Sequence, residues 1–490
     1  MSLDSPSFST AESGRVFVSP EARWNFWFVL ICSQIFLLGI LLRAAYVYWW
    51  HWPPESIYSD MQGYVGTARA WFSPGYQFGP KDTFQAPGYH MMLGWLLHWN
   101  PSMVLAVTVQ FLMSCAIPAM LAAIAWQLYG RSVALVTLAV SSLYWPFIDY
   151  TGYFLSEIPF LFTMLLSMLL LVSAIRTQHD RLSWAWALLS GLTLGLAAAI
   201  KPAVLIGALL ILMLLAGAAW KHRWARLRQV LITSVVGMIL YLIPFSIRAT
   251  RLNDGEFVLI STNGPMNMQQ GHAGENVSGI RFTDPQGRGV WQWGSPTVNH
   301  KAQLYREEMD RKKLPIDPLR FQTTNYFNCA PWDRDVLRKA IRDRIREAPL
   351  EVFAQSCNNV YETLFTSPPW PSFWAGRPWG TLTTWSERFF RWFILLPAFL
   401  ELVVRRRAFR DKQGPGLADG LMALPFFGLL ITVFLATPEA RYRIPFDAFA
   451  IVLAARFYTL GASRPDGLVP PDTLIPLEIL PEAALPEPAP

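Results

Sequence analysis

The sequence predicts an all-α polytopic membrane protein, and three observations carry that reading. Of its 490 residues 53% are hydrophobic and only 15% charged, and the mean hydropathy is +0.27, more apolar surface than a soluble core requires. Apolar stretches of roughly 18 to 25 residues recur, each long enough to cross about 30 Å of hydrocarbon at 1.5 Å per residue. The net charge of +7 is dispersed in short basic clusters between these stretches, as orientation signals are, and not in a patch suited to nucleic acid.

The first stretch, from Trp24, follows a polar segment holding Arg15 and Arg23. It is longer than a signal-peptide core and no small-residue cleavage site follows it, so it is expected to stay as a helix. Ten spans are predicted, at about 24–48, 102–128, 132–150, 152–175, 183–200, 203–220, 229–247, 389–404, 417–437 and 444–460, and ten to twelve helices suit the composition. With the N-terminus in the cytoplasm, the inward connections carry Arg131, Arg176, Arg181, Lys221, Arg223, Arg226, Arg228, Arg405, Arg406, Arg407, Arg410 and Lys412. The short outward connections carry only Lys201, Arg441 and Arg443. Juxtamembrane Lys and Arg resist translocation, which sets the orientation.

This divides the chain into a cytoplasmic segment 1–23, an N-terminal membrane module 24–248, an outer segment 249–388, C-terminal membrane helices 389–460, and a Pro-rich tail 461–490 expected to be disordered and cytoplasmic. Within the N-terminal module a first outer loop, 49–101, is rich in aromatics, Pro and Gly. It is expected to hold a short interfacial helix over Tyr64–Phe72 and an interfacial or re-entrant helix over Gly88–Trp99. The outer segment 249–388 predicts a mixed subdomain, with a helix over Asp333–Glu347 whose apolar side is Val336, Leu337, Ile341 and Ile345.

Placed on this topology, Asp60, Lys81, Glu157, Lys201, Arg248, Glu439, Arg441 and Arg443 all fall at the outer membrane boundary. Charges there are costly unless they face a protein interior or a watery cavity, so the pattern points to a shared polar site. Ordinary interfacial anchoring is the alternative for any one Lys or Arg. Asp60, in IYSDMQGY, suits a general base taking a proton from an acceptor hydroxyl; it also suits the N-cap of a helix starting at Met61. Glu157 calls for a cationic partner in either a structural ion pair or a substrate contact. Arg248, Arg441 and Arg443 are shaped to hold phosphate oxygens.

His90 and His98 read as packing residues, and no Cys/His spacing forms a zinc site. Cys329 and Cys357 share the outer segment, as a disulfide pair or as two thiols. Asn276, Val277 and Ser278 match a glycosylation sequon, a pattern common by chance. Walker, GxGxxG and GxSxG motifs are absent, which removes the marks of nucleotide-driven transport and serine hydrolysis.

The order of these features resembles the bacterial members of the protein O-mannosyltransferase family, including the lipid A aminoarabinose transferases, within the GT-C superfamily. The resemblance runs from Arg43 and Asp60 through APGYHMMLGWLL (86–97), YTGYFLSEIPFLF (150–162), GLTLGLAAAIKP (191–202), IPFSIRATRLNDGEFVLISTNGPMNMQQGHAG (243–274) and TPEARYRIPFDAFAIVLAA (437–455), covering about 24–460. It implies a GT-C fold in a bacterial inner membrane. It also implies transfer of a sugar, usually with inversion, from a polyprenyl-phosphate carrier to an envelope glycan, lipid or protein acceptor on the periplasmic or exterior face. By the same resemblance Asp60 corresponds to the first-loop acid, with Lys81, Tyr89, Glu157, Lys201, Arg248, Glu439, Arg441 and Arg443 as substrate or phosphate contacts. Family members often carry a second acid after the first; Met61 stands there instead, which weakens the case for a divalent metal, and no cofactor is implied. The rival readings are a lipid-linked saccharide flippase, which has no use for Asp60 as a base, and a membrane scaffold.

Overall fold

A computed structural model describes residues 20–221, 224–273, 277–281, 290–294, 296–317, 320, 324–366, 371, 378–410 and 415–459. The tail 461–490, most of the segment 1–23, Asn276 of the sequon, Arg223 and Lys412 lie outside the described residues.

In chain order the elements are α1 (Pro20–Ala45), α2 (Asp60–Trp71), α3 (Pro87–Trp99), α4 (Val104–Tyr129), α5 (Arg131–Leu143), α6 (Trp145–Asp149), α7 (Glu157–Arg176), α8 (Asp180–Ile200), α9 (Val204–Lys221) and α10 (Ala225–Leu252). Then come α11 (Gly264–His272), β1 (Val277–Arg281), β2 (Val290–Trp293), α12 (Pro296–Lys312), β3 (Thr324–Asn328), α13 (Arg334–Glu347), α14 (Pro349–Tyr361), α15 (Pro378–Phe389), α16 (Leu396–Arg410), α17 (Pro415–Leu435) and α18 (Ala440–Tyr458). Among the described residues seven helices, α1, α4, α7, α8, α9, α10 and α17, are long and apolar enough to cross a membrane, and the pair α5–α6 makes an eighth. The protein is an integral membrane protein.

Three expected spans differ from expectation for physical reasons. The span 132–150 is not straight but bends by 55° between α5 and α6. Pro146 lies just inside α6, where it has no N–H for the carbonyl of Ser142 and its ring would clash with that carbonyl in a continuous helix, so the chain breaks at Tyr144, which is extended. The span 389–404 passes through a π-turn at Phe390–Leu395 that leaves α16 only 15 residues long, and 444–460 lies in α18, which is more charged than a lipid-facing helix tolerates. In α18 the reason is placement: it is buried along nearly its whole length, packed on α16, α17, α5 and α7. Its charges are paired inside the protein. Arg443 binds Glu387 of α15 at 2.6 Å and Asp447 at 2.9 Å, and Arg456 binds Glu401 of α16 at 3.2 Å and Asp419 of α17.

α2 and α3 are the two short helices expected after α1, and neither is long enough to span. Gly88 lets α3 lie directly on the last turn of α8, since a Cβ there would stand 2.7 Å from the Ala199 carbonyl carbon. Backbone cannot yield as a side chain would. Gly88→Val is therefore expected to lower the apparent thermal unfolding midpoint of the detergent-solubilised protein, reflecting about 1–3 kcal/mol of overpacking; an unchanged midpoint would mean that α3 is free to shift.

The segment after α10 builds a three-stranded sheet in the order β2-β1-β3, with β1 antiparallel to β2 and parallel to β3. Its small core holds Met266, Ile280, Cys329 and Leu337. Of the apolar side expected for α13, Leu337 and Ile341 are buried, whereas Val336 and Ile345 are exposed, so the packed stripe is narrower than predicted. Cys329 is buried in this core, Cys357 is exposed on α14, and both are free thiols.

Candidate active site

The basic ends of the helices, at Arg131, Arg176, Arg181, Lys221, Arg226 and Arg228, fall where α4 meets α5, α7 meets α8 and α9 meets α10. The opposite ends carry the polar network. There Asp60 opens α2, Glu157 opens α7, Lys201 follows α8 and Glu439 precedes α18.

Asp60 accepts a hydrogen bond from Arg441 Nη1 through Oδ2 at 2.6 Å, across 381 residues of sequence. Arg441 Nε turns to Glu439, so one guanidinium serves both carboxylates. Lys201 Nζ donates to Glu157 Oε1 at 2.7 Å and lies 5.1 Å from the centre of the Tyr442 ring, beside Arg441. Three carboxylates thus face two cations. Burial, reinforced by the charge of Asp60, raises the Glu439 carboxyl above its usual range against the pull of Arg441. Burial also lowers the Lys201 ammonium, against the support of Glu157.

Asp60 is not the N-cap that its position also suited. It is the first residue of α2, Ser59 takes the cap position without a capping hydrogen bond, and the Asp60 carboxylate is aimed at Arg441. Ser59 has φ +51° and ψ −127°, a conformation that costs a non-glycine residue of order 1–3 kcal/mol and is held only where the surroundings enforce it. Asp60 is 40% exposed while Glu157 is 2% exposed, so the network opens outward at the acid. Two buried polar atoms within it, Glu157 Oε2 and Thr437 Oγ1, have no hydrogen-bond partner.

Tyr89 lies behind this network. It is buried, packs edge-on to Tyr64 of α2 at 5.0 Å between ring centres, and donates to Gln110 Oε1 at 3.4 Å. Gln110 in turn donates to the carbonyl of Tyr153 at 2.6 Å, fixing the approach to Glu157. Tyr89 supports the site from within the core. His90 is wedged between Tyr64 and Trp71, and burial pushes its imidazole down to about 4, so it is neutral.

Lys81 and Arg248 are gathered elsewhere. Arg248 stacks on Phe78 at 4.1 Å and on Trp71 at 5.2 Å, and its Nη2 is buried without a hydrogen-bond partner. Lys81 is exposed beside Tyr76, and Asp82 ties the corner together through Trp71 Nε1 at 2.8 Å and the Tyr76 hydroxyl at 2.6 Å. Trp71 ends the helix that Asp60 begins, so this second cationic point is about 16 Å along α2 from the first at 1.5 Å per residue. Arg443 is in neither place. Residues two apart on a helix do not share a face, and Arg443 is turned inward to Glu387 and Asp447 while Arg441 faces Asp60.

The donor set at Asp60 does not suit a divalent cation. Met61 beside it is a buried thioether, and the place between Asp60 and Glu439 is held by the Arg441 guanidinium.

The family model for dolichyl-phosphate-mannose-protein mannosyltransferases matches residues 91–252, from within α3 to the end of α10, and so includes Glu157, Lys201 and Arg248. The match covers about a third of the chain. The chain is also similar in structure to the archaeal oligosaccharyltransferase AglB from Archaeoglobus fulgidus in complex with an inhibitory peptide and a dolichol-phosphate, at 11% identity and TM-score 0.46, over 88% of this chain and 50% of that one. It is similar as well to an Archaeoglobus fulgidus oligosaccharyltransferase in the apo form, at 10% identity and TM-score 0.47, over 86% and 50%. The chain spans about half the length of those chains. No curated protein matches its sequence significantly. Asp60, Glu439 and Arg441 lie outside the matched 91–252, so their place in the site rests on the geometry of this structure.

Proposed function

We propose that this protein is a membrane glycosyltransferase of the GT-C class that moves a sugar from a polyprenyl-phosphate carrier to an envelope glycan, lipid or protein acceptor, at the extracytoplasmic face of a bacterial inner membrane and with inversion, using Asp60 as general base. The observation that carries the reading is the pairing of Asp60 with Arg441 next to the Lys201–Glu157 pair. The family match supports a lipid-phosphate donor. The basic helix ends at the far side of the bundle support the orientation.

In this mechanism the carrier phosphate takes Arg441 and Lys201 as its counterions, which frees the Asp60 carboxylate. The acceptor hydroxyl oxygen attacks the anomeric carbon as Asp60 removes its proton, and the bond from that carbon to the phosphate oxygen breaks with its electron pair going to the phosphate. The phosphate is a good leaving group and needs no acid. Glu157 Oε2 and the Thr437 hydroxyl, both buried and unpartnered, are placed to bond sugar hydroxyls. Lys81 and Arg248, a helix length away, suit a pendant acidic group of either substrate and not the reacting phosphate.

Lys201→Met tests the phosphate assignment. It is expected to raise the KM for a purified polyprenyl-phosphate sugar by about tenfold or more, as loss of a charged hydrogen bond of roughly 1.5–3 kcal/mol does. Arg248→Met should leave that KM within about twofold; the reverse ranking would move the phosphate to the other end of α2.

A further inference from the structure

A second feature lies where α16 packs against α17 and α18. The helix from α15 into α16 passes through a π-turn at Phe390–Leu395, and beside it a cavity of about 740 Å³ runs between α16, α17, α18 and the end of α14. Its walls are apolar, with Leu396, Phe399 and Leu402 along α16 and Phe426 and Leu430 on α17. Among the described residues that line it, Arg391 is the one that is charged. Its Nε is buried and makes no hydrogen bond. Glu387, one turn back, is committed to Arg443 at 2.6 Å.

We propose that this groove holds an anionic glycerophospholipid of the bilayer, its phosphate on Arg391 and one acyl chain along α16. The volume lies within the range of built ligand sites. From Arg391 to Leu402 the wall is about 16 Å long at 1.5 Å per residue, the reach of a half-bilayer hydrocarbon chain. Phe399 and Phe427 on its rim are exposed at 61% and 46%, so the groove opens where lipid surrounds the bundle. A lone guanidinium at the headgroup end of an apolar slot is the charge complement of a phosphate.

The occupant is distinct from the sugar donor, a point that rests on the function proposed above. The donor phosphate has to lie within reach of Asp60. Arg391 stands instead one turn after Glu387, whose partner Arg443 is closed off between Glu387 and Asp447.

Native mass spectrometry of the full-length protein in detergent, titrated with phosphatidylglycerol, phosphatidylcholine or undecaprenyl phosphate, tests this without any transfer assay. One phosphatidylglycerol is expected to bind, about fivefold more weakly to Arg391→Gln and undiminished in Arg391→Lys. Leu402→Trp, which fills the groove and leaves the charge, is expected to abolish the bound species, and it carries the test should Arg391→Gln fail to fold. Equal binding by Arg391→Gln, or phosphatidylcholine bound as tightly as phosphatidylglycerol, overturns the proposal. So does undecaprenyl phosphate displacing phosphatidylglycerol in a manner lost in Leu402→Trp, which would make the groove the donor's own. Failure of the donor reading instead shows in the KM of Lys201→Met.

Discussion

Asp60→Asn is expected to lower sugar transfer by about 10²–10⁴-fold, the range a positioned general base contributes, while leaving donor binding within a few-fold. The amide keeps the shape of the side chain and can still approach Arg441, but it cannot accept the acceptor's proton. Asp60 is 40% exposed, so the substitution removes a charge at an open edge and not from a sealed core, and the protein should fold and reach the membrane in normal amount. Two measurements check this together. Release of free polyprenyl phosphate by purified protein reads the reaction, and mass spectrometry of envelope glycans and lipid-linked sugars in a complemented deletion strain reads the outcome in the cell. Wild-type transfer by a folded Asp60→Asn protein would sink the assignment and favour a flippase, in which this carboxylate has no proton to take.

Arg443→Leu should act on the fold and not on the chemistry. Arg443 is fully buried, and its removal strands Glu387 and Asp447 in the bundle with only the Tyr144 hydroxyl, which donates to Asp447 at 2.6 Å, left to satisfy them. Removing one partner of a buried ionic cluster costs on the order of 3–5 kcal/mol. Little folded protein is expected on size-exclusion after detergent extraction. Adding Glu387→Gln and Asp447→Asn should recover part of it, because the neutral amides no longer need a counterion. If the single variant extracts like wild type, the cluster is solvated and not buried as described.

Much of the membrane architecture was legible because it depends on local quantities. Length, apolar composition and the inward bias of Lys and Arg do not require knowing which helix touches which. The two short helices α2 and α3 were visible for the same reason. The polar site was legible only in part. Asp60, Glu157, Lys201, Glu439 and Arg441 were drawn from distant parts of the chain by a common expected depth, and the structure brings these five together. Depth is one coordinate of three, however, and it cannot separate the two ends of α2 or the two faces of α18. Lys81 and Arg248 were therefore grouped with Asp60, and Arg443 with Arg441. The i, i+4 spacing of Arg443 and Asp447 was the available sign that this arginine looks inward along its own helix. The pairing of Arg456 with Glu401 and Asp419 had no such local sign, since its partners sit on two other helices.

The burial of α18 has a bearing on how the chain is made. Arg443, Asp447 and Arg456 would each oppose lateral release into lipid by about 2.5–3.5 kcal/mol at the middle of an isolated segment. The carboxylates that meet the two arginines from other helices, Glu387, Glu401 and Asp419, all precede α18 in the sequence and are synthesised before it, and Asp447 pairs with Arg443 of its own helix. α18 is thus drawn into the membrane by polar surfaces that the preceding helices have already prepared. The same step carries Arg441 to Asp60, so the polar network is completed only once α18 has been made.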